Sequence, residues 1–187
     1  MKQKRVWLIV CVTVILLSLL SAGTYMYFTT ESTARNVVTT GGISFEILET
    51  TNTGDVFPAQ GVTVKPGDVV SKIVTLKNVS DETIWVRVAL EKRVAEDKEL
   101  PADEQLQPNI NTEDWTEQDG FYYYNAPLAA GEETAPLFTE VTVDGKSVDN
   151  RYRGMSFELD VLGSAVQAAN NGDTVFSALG WPEAKGN

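Results

Sequence analysis

The chain has 187 residues, 26 acidic and 15 basic side chains, a formal charge of -11, one cysteine and no histidine. That length suits one domain with a proper core, and the acidic balance disfavours nucleic acid and anionic lipid heads as partners. Without histidine the usual general base, the usual zinc ligand and every Ser/His/Asp or Cys/His arrangement are missing, so no catalytic residue, metal or cofactor is expected. A carboxylate pair acting on glycosides stays open in principle, but spacing names no such pair.

The chain begins with the basic stretch "MKQKR", followed by an apolar run of 17 residues from Val6 to Ala22. This is the layout of a secretory signal. No charge follows until Glu31, so Val6 to Thr30 is also long enough to span a bilayer. Either outcome leaves the basic cluster in the cytoplasm and the bulk of the chain outside. The only cysteine, Cys11, lies within the leader, so the exported part has no disulfide. Bulky Leu8, Ile9 and Val10 before Cys11 argue against a lipid-attachment site.

The exported chain reads as β. "ISFEILET" puts Phe45 and Ile47 in phase, and "VVSKIVTLKN" alternates Val70, Val74 and Leu76 against Ser71, Thr75 and Lys77, with Lys72 interrupting the apolar side. "TIWVRVALEK" places Ile84, Val86, Val88 and Leu90 on one face and Trp85, Arg87, Ala89 and Glu91 on the other. These last two runs are expected to pair antiparallel across the turn "VSDE". From Glu91 to Asp119 there are ten acids against three bases and little alternation, which predicts a long acidic insertion with at most a short helix. Those carboxylates lack the D-x-D-x-D-G pattern of a calcium loop.

Tyr122, Tyr123 and Tyr124 alternate faces on a strand, so packing of at least one is expected over an adhesive patch. Trp85 and Trp115 read as packing residues rather than sugar platforms, and Asn78-Val79-Ser80 matches a glycosylation acceptor. "FTEVTVDGKSV" predicts a hairpin, because Asp144-Gly145 suits a two-residue turn. "MSFELDVLGSAVQA" sets Phe157, Leu159 and Val161 against Glu158 and Asp160, and "PAQGVTVKPGD" and "NNGDT" are turns. The reading is all-β: a two-sheet sandwich of jelly-roll or immunoglobulin type carrying a long acidic insertion, behind an N-terminal signal or transmembrane helix.

Several blocks together resemble the TasA/camelysin family of exported biofilm-matrix fibre proteins. "GTYMYFTTESTARN" before "GGISFEI" is similar to the end of the family's leader and its first strand, and "VKPGDVVSKIVTLKNVSDETIWVRVAL" to its Lys-Pro-Gly-Asp turn and two strands. "DGFYYYNAPLAAGEETAPLF" and "NRYRGMSFELDVLGSAVQAANN" look like later family segments in the expected order. The resemblance implies a jelly-roll sandwich, cutting by a dedicated signal peptidase near Met26 and Tyr27, and growth of extracellular fibres by donor-strand exchange. The order implied is a leader at 1–26, a donor arm at 27–40 and the sandwich at 41–187. The donor would be Tyr27, Phe28, Thr30, Ser32, Ala34, Asn36 and Val38, although this stretch also reads as a flexible tail or a strand within its own subunit.

Where relatives have small residues before the cut, this chain has Tyr25 and Met26. An uncut leader would leave a membrane-anchored protein in place of a secreted one at the cell surface or in the matrix. The camelysin side of the family carries a metallopeptidase label, which the residue types do not support, so no enzyme activity is expected. Partners implied are other copies of the chain in filaments, the signal peptidase during export, and a further matrix or anchoring protein. The other class of function is a monomeric or membrane-tethered binding module that anchors or assembles fibres made by another protein.

Overall fold

Alternating apolar and polar residues, many of them β-branched, cannot bury one face as helices but can as strands. The computed structural model describes residues 42–59, 62, 64–94, 99, 101–148, 150–152 and 156–182. They all belong to one compact unit, Arg35–Asn187. The leader, the arm at 27–40 and the Met26-Tyr27 bond lie outside the described residues. Eight strands form: β1 Phe45–Thr50, β2 Val69–Asn78, β3 Ile84–Val94, β4 Leu106–Pro108, β5 Trp115–Gln118, β6 Phe121–Tyr124, β7 Phe138–Val143 and β8 Phe157–Gln167. Two single 3-10 turns, Asn150–Tyr152 and Val175–Ser177, are the helical elements among the described residues.

The strands make two four-stranded antiparallel sheets, in the order β1-β2-β7-β4 and β5-β6-β3-β8. Between them Ile84, Val86, Val88, Val161 and Ala165 of the second sheet meet Phe45, Val74, Leu76, Phe138, Val141 and Val143 of the first. Each fully buried Val, Leu or Phe contributes about 1.5–3 kcal/mol. This is a β-sandwich, as the alternation predicts.

The expected pairing of β2 with β3 is wrong, because the two lie in different sheets. The turn between them carries the chain across the core, and buried Asn78 sets it. Its Nδ2 donates to the carbonyls of Glu82 at 2.7 Å and Leu128 at 2.9 Å, while its Oδ1 accepts from Ser80 N at 2.9 Å and Ser80 Oγ at 2.6 Å. A side-chain amide so fully engaged and 0% exposed is no glycan acceptor in the folded chain.

The acidic stretch from Glu91 to Asp119 is not a plain insertion. It holds the end of β3, all of β4 and β5, and the core residues Leu106 and Trp115. Short strands of three and four residues offer too little alternation to be read. The hairpin also falls elsewhere. Asp119 at φ 52° and Gly120 at φ 79° join β5 to β6 through the paired Gln118 and Phe121, the two positive φ angles of a type I′ turn. At Asp144-Gly145 the Asp144 carboxylate instead accepts from Lys146 N at 3.2 Å and Ser147 N at 2.7 Å, bending the chain away, and β7 pairs with β2 and β4.

Gly163 in β8 has no room for a side chain, since an added Cβ would lie 2.6 Å from Phe45 Cε2 and 3.2 Å from Ile47 Cδ1. The Phe45 ring, 0% exposed, has little freedom to withdraw. Gly163→Ala is therefore expected to lower stability by about 1–3 kcal/mol. A urea titration would check this, and an unchanged midpoint would contradict the packing described.

Candidate functional site

A sandwich has four sheet edges, and here they are β1, β4, β5 and β8. Edges are usually kept short or blocked, because unpaired backbone groups recruit other strands. Three of the four follow that rule: β4 has three residues and ends on Pro108, β5 has four, and β1 has six. The outer side of β1 is also partly taken, with Phe57 N donating to the Glu49 carbonyl at 2.8 Å. The exception is β8, eleven residues long and paired only with β3 among the described residues.

The direction of the β8 backbone groups follows from the register. Ile84 opposes Gln167, yet its N–H and C=O both bond Leu128, at 3.0 and 2.9 Å. In an antiparallel ladder, facing residues either exchange both bonds or neither. Gln167 therefore points its own pair away from β3. The register is unbroken to Val94 and Phe157, so Phe157, Leu159, Val161, Gly163 and Ala165 point outward too. Their side chains face the core, and Val161 and Ala165 are 5% and 1% exposed. Backbone groups this close to the core carry a strong demand for partners.

Two of the outward carbonyls are occupied by side chains. Lys72 Nζ donates to the Leu159 carbonyl at 3.3 Å, is paired with Glu49 Oε1 at 3.0 Å, and sits 5.0 Å from the centre of the Phe57 ring. Lys72 lies on the apolar side of β2 as the sequence suggests, beside a register shift between Ser71 and Val74, and is 8% exposed. A carboxylate and a carbonyl surround its ammonium, not an asparagine amide, so these contacts do not make an isopeptide site. At the other end, Asn171 Nδ2 donates to the Gln167 carbonyl at 2.9 Å.

The remaining singled-out residues pack. Trp115, 1% exposed, donates its indole N–H to the Ala135 carbonyl at 3.1 Å and lies 5.1 Å from the Tyr124 ring. Tyr122 and Tyr124 join the main core and Tyr123 the opposite face, as strand alternation requires. Burial, with the Glu117 carboxylate adding to it, pushes the Tyr122 phenol up from its ordinary value. Trp85 is covered by the C-terminal segment.

That cover is held by Arg87. Its guanidinium stands 3.8 Å from the Phe121 ring centre and 4.8 Å from that of Trp181, donates to Tyr123 Oη at 3.1 Å, and donates to the Pro182 carbonyl at 2.9 Å. Alternation places Arg87 on the outer face but does not disclose what covers it. On the open end of the same face, Arg93 bridges Glu158 and Asp160, both about 41% exposed.

Fold and edge together define an all-β sandwich with one long strand edge that no described residue pairs. A family model described as camelysin metallo-endopeptidase matches residues 1–120, well over half of the sequence, and the chain belongs to that family. Neither a curated protein nor a solved structure matches.

The family description implies a metal, and the residues do not fit one. The chain has no histidine, its single cysteine is Cys11, and no three His, Cys, Asp or Glu side chains converge among the described residues. Zinc in a peptidase takes three protein ligands, usually with imidazoles among them, so no metal-dependent step is derived.

Replacing Arg87 with lysine keeps the charge but loses the planar stack and the fork of donors. The variant is expected to lose about 1–2 kcal/mol and to shift tryptophan emission to the red as Trp85 and Trp181 gain solvent. Unchanged emission would contradict the described clamp.

Proposed function

We propose that the chain is an extracellular structural subunit that grows into surface or matrix fibres by strand addition, with β8 as the receiving edge. The observation that carries this is the eleven-residue β8 edge, whose outward backbone groups have no strand partner among the described residues. An extended segment from a second copy completes such an edge with main-chain hydrogen bonds. Repeated head to tail, the contact does not close and makes a filament. Membership of the camelysin family supports an extracellular fibre or matrix role in outline, and the basic leader supports export. The donor is the arm from Tyr27 to Val38, rich in threonine, aromatic and β-branched residues.

Protein starting at Tyr27 is expected to form filaments over days under the electron microscope, while protein starting at Gly41 stays dispersed. Equal behaviour of the two would favour a binding module that anchors fibres made by another protein.

The role is structural rather than hydrolytic. Purified protein supplied with zinc is expected to leave casein intact, and cleavage that chelation abolishes would overturn this.

A further inference from the structure

Among the described residues, side chains cap the β8 edge at two points. Of its six outward residues, Leu159 has its carbonyl taken by Lys72 and Gln167 has its carbonyl taken by Asn171. Between them lie Val161, Gly163 and Ala165. Neither cap is a casual surface contact. Lys72 reaches Leu159 from the opposing sheet with its side chain nine-tenths buried and its ammonium held by Glu49 and the Phe57 ring. Asn171 is fixed at both ends of its amide, since Leu179 N donates to Oδ1 at 2.8 Å and Nδ2 also reaches the Leu179 carbonyl at 3.0 Å.

Resting on the strand-addition reading, we infer that Lys72 and Asn171 are stops that fix the register of the incoming strand, confining it to Val161–Ala165. A neutral backbone N–H cannot readily displace the lysine. A charge-assisted bond is roughly twice as strong as a neutral one, and displacement would strand a buried ammonium beside Glu49. The incoming strand therefore meets a carbonyl already bonded and crowded by a side chain at Leu159 and another at Gln167. The window between them spans about five residues at roughly 3.3 Å each. Because a slip of one residue turns every side chain of a strand to the other face, stops at both ends make each subunit accept the same segment in the same phase. Lys72 and Asn171 are positioning residues in this scheme, since they act on the incoming chain by removing places it would bond.

The test is amide hydrogen exchange, read residue by residue in filaments of the mature protein against unassembled protein. Val161, Gly163 and Ala165 are expected to slow on the order of 100-fold on assembly, with Leu159 unchanged. The double variant Lys72→Met with Glu49→Gln removes the ion pair without leaving a lone charge. In its filaments, protection is expected to extend to Leu159. Protection of Leu159 equal to that of Val161 in the unaltered filaments, or a double variant that leaves Leu159 unprotected, would overturn the stop. Filaments in which no β8 amide slows would overturn the choice of edge itself, a separate failure that the pattern across β8 distinguishes.

Discussion

Both faces of β3 are covered over Ile84–Val88, and the rest of the sandwich is arranged around that burial. Its inward residues Ile84, Val86 and Val88, all 0% exposed, meet the first sheet, while Trp85 and Arg87 on the other face lie under the C-terminal segment. A strand buried on both faces needs neighbours on both sides for its backbone. Here β6 and β8 supply them. The consequence is that β8, which satisfies β3 along all eleven of its residues, becomes the outermost strand of its sheet and carries the unmet backbone demand outward.

The proposed function rests on where that demand is answered among the described residues and where it is not. Side chains meet it at the two ends of the β8 edge, through an ammonium at Leu159 and an amide at Gln167. Between those caps only another strand has the right spacing of donors and acceptors. A long edge with inward-pointing charge at one point is a known way to limit strand pairing. Among the described residues Val161, Gly163 and Ala165 have no strand partner beyond β3, and in the proposed scheme the lysine that protects the edge also shapes what it accepts.

Period-two alternation makes β1, β2, β3 and β8 legible, because each has one face in the core and β2, β3 and β8 are also long. It could not tell that consecutive strands β2 and β3 belong to different sheets, a fact decided by the buried amide of Asn78 at the crossing. The acidic stretch hides strands for a related reason: β4 and β5 are short edge strands, and most of the acids of the stretch lie in the loops around them, so solvation dominates its composition. A readable signal for the hairpin is present in Asp119-Gly120, but Asp144-Gly145 carries the same residue pair in an aspartate-capped turn, and the pair alone does not separate the two. Lys72 stood out as a break in the apolar phase of β2. Its partner on β8 is 87 residues away, and no local pattern points to it.

Family membership and chemistry pull apart at one place, the metallo-endopeptidase description. The camelysin match covers residues 1–120, which include the first five strands and none of β6. Those residues contain no imidazole, and the described carboxylates do not converge. A two-sheet β-sandwich with one long edge among the described residues requires no catalytic group for the structural role proposed above. Electron cryo-microscopy of the filaments at strand resolution tests this most directly. The account predicts an added strand from a second copy lying against β8 over Val161–Ala165; density added instead to β1, β4 or β5, with β8 bare, would contradict it.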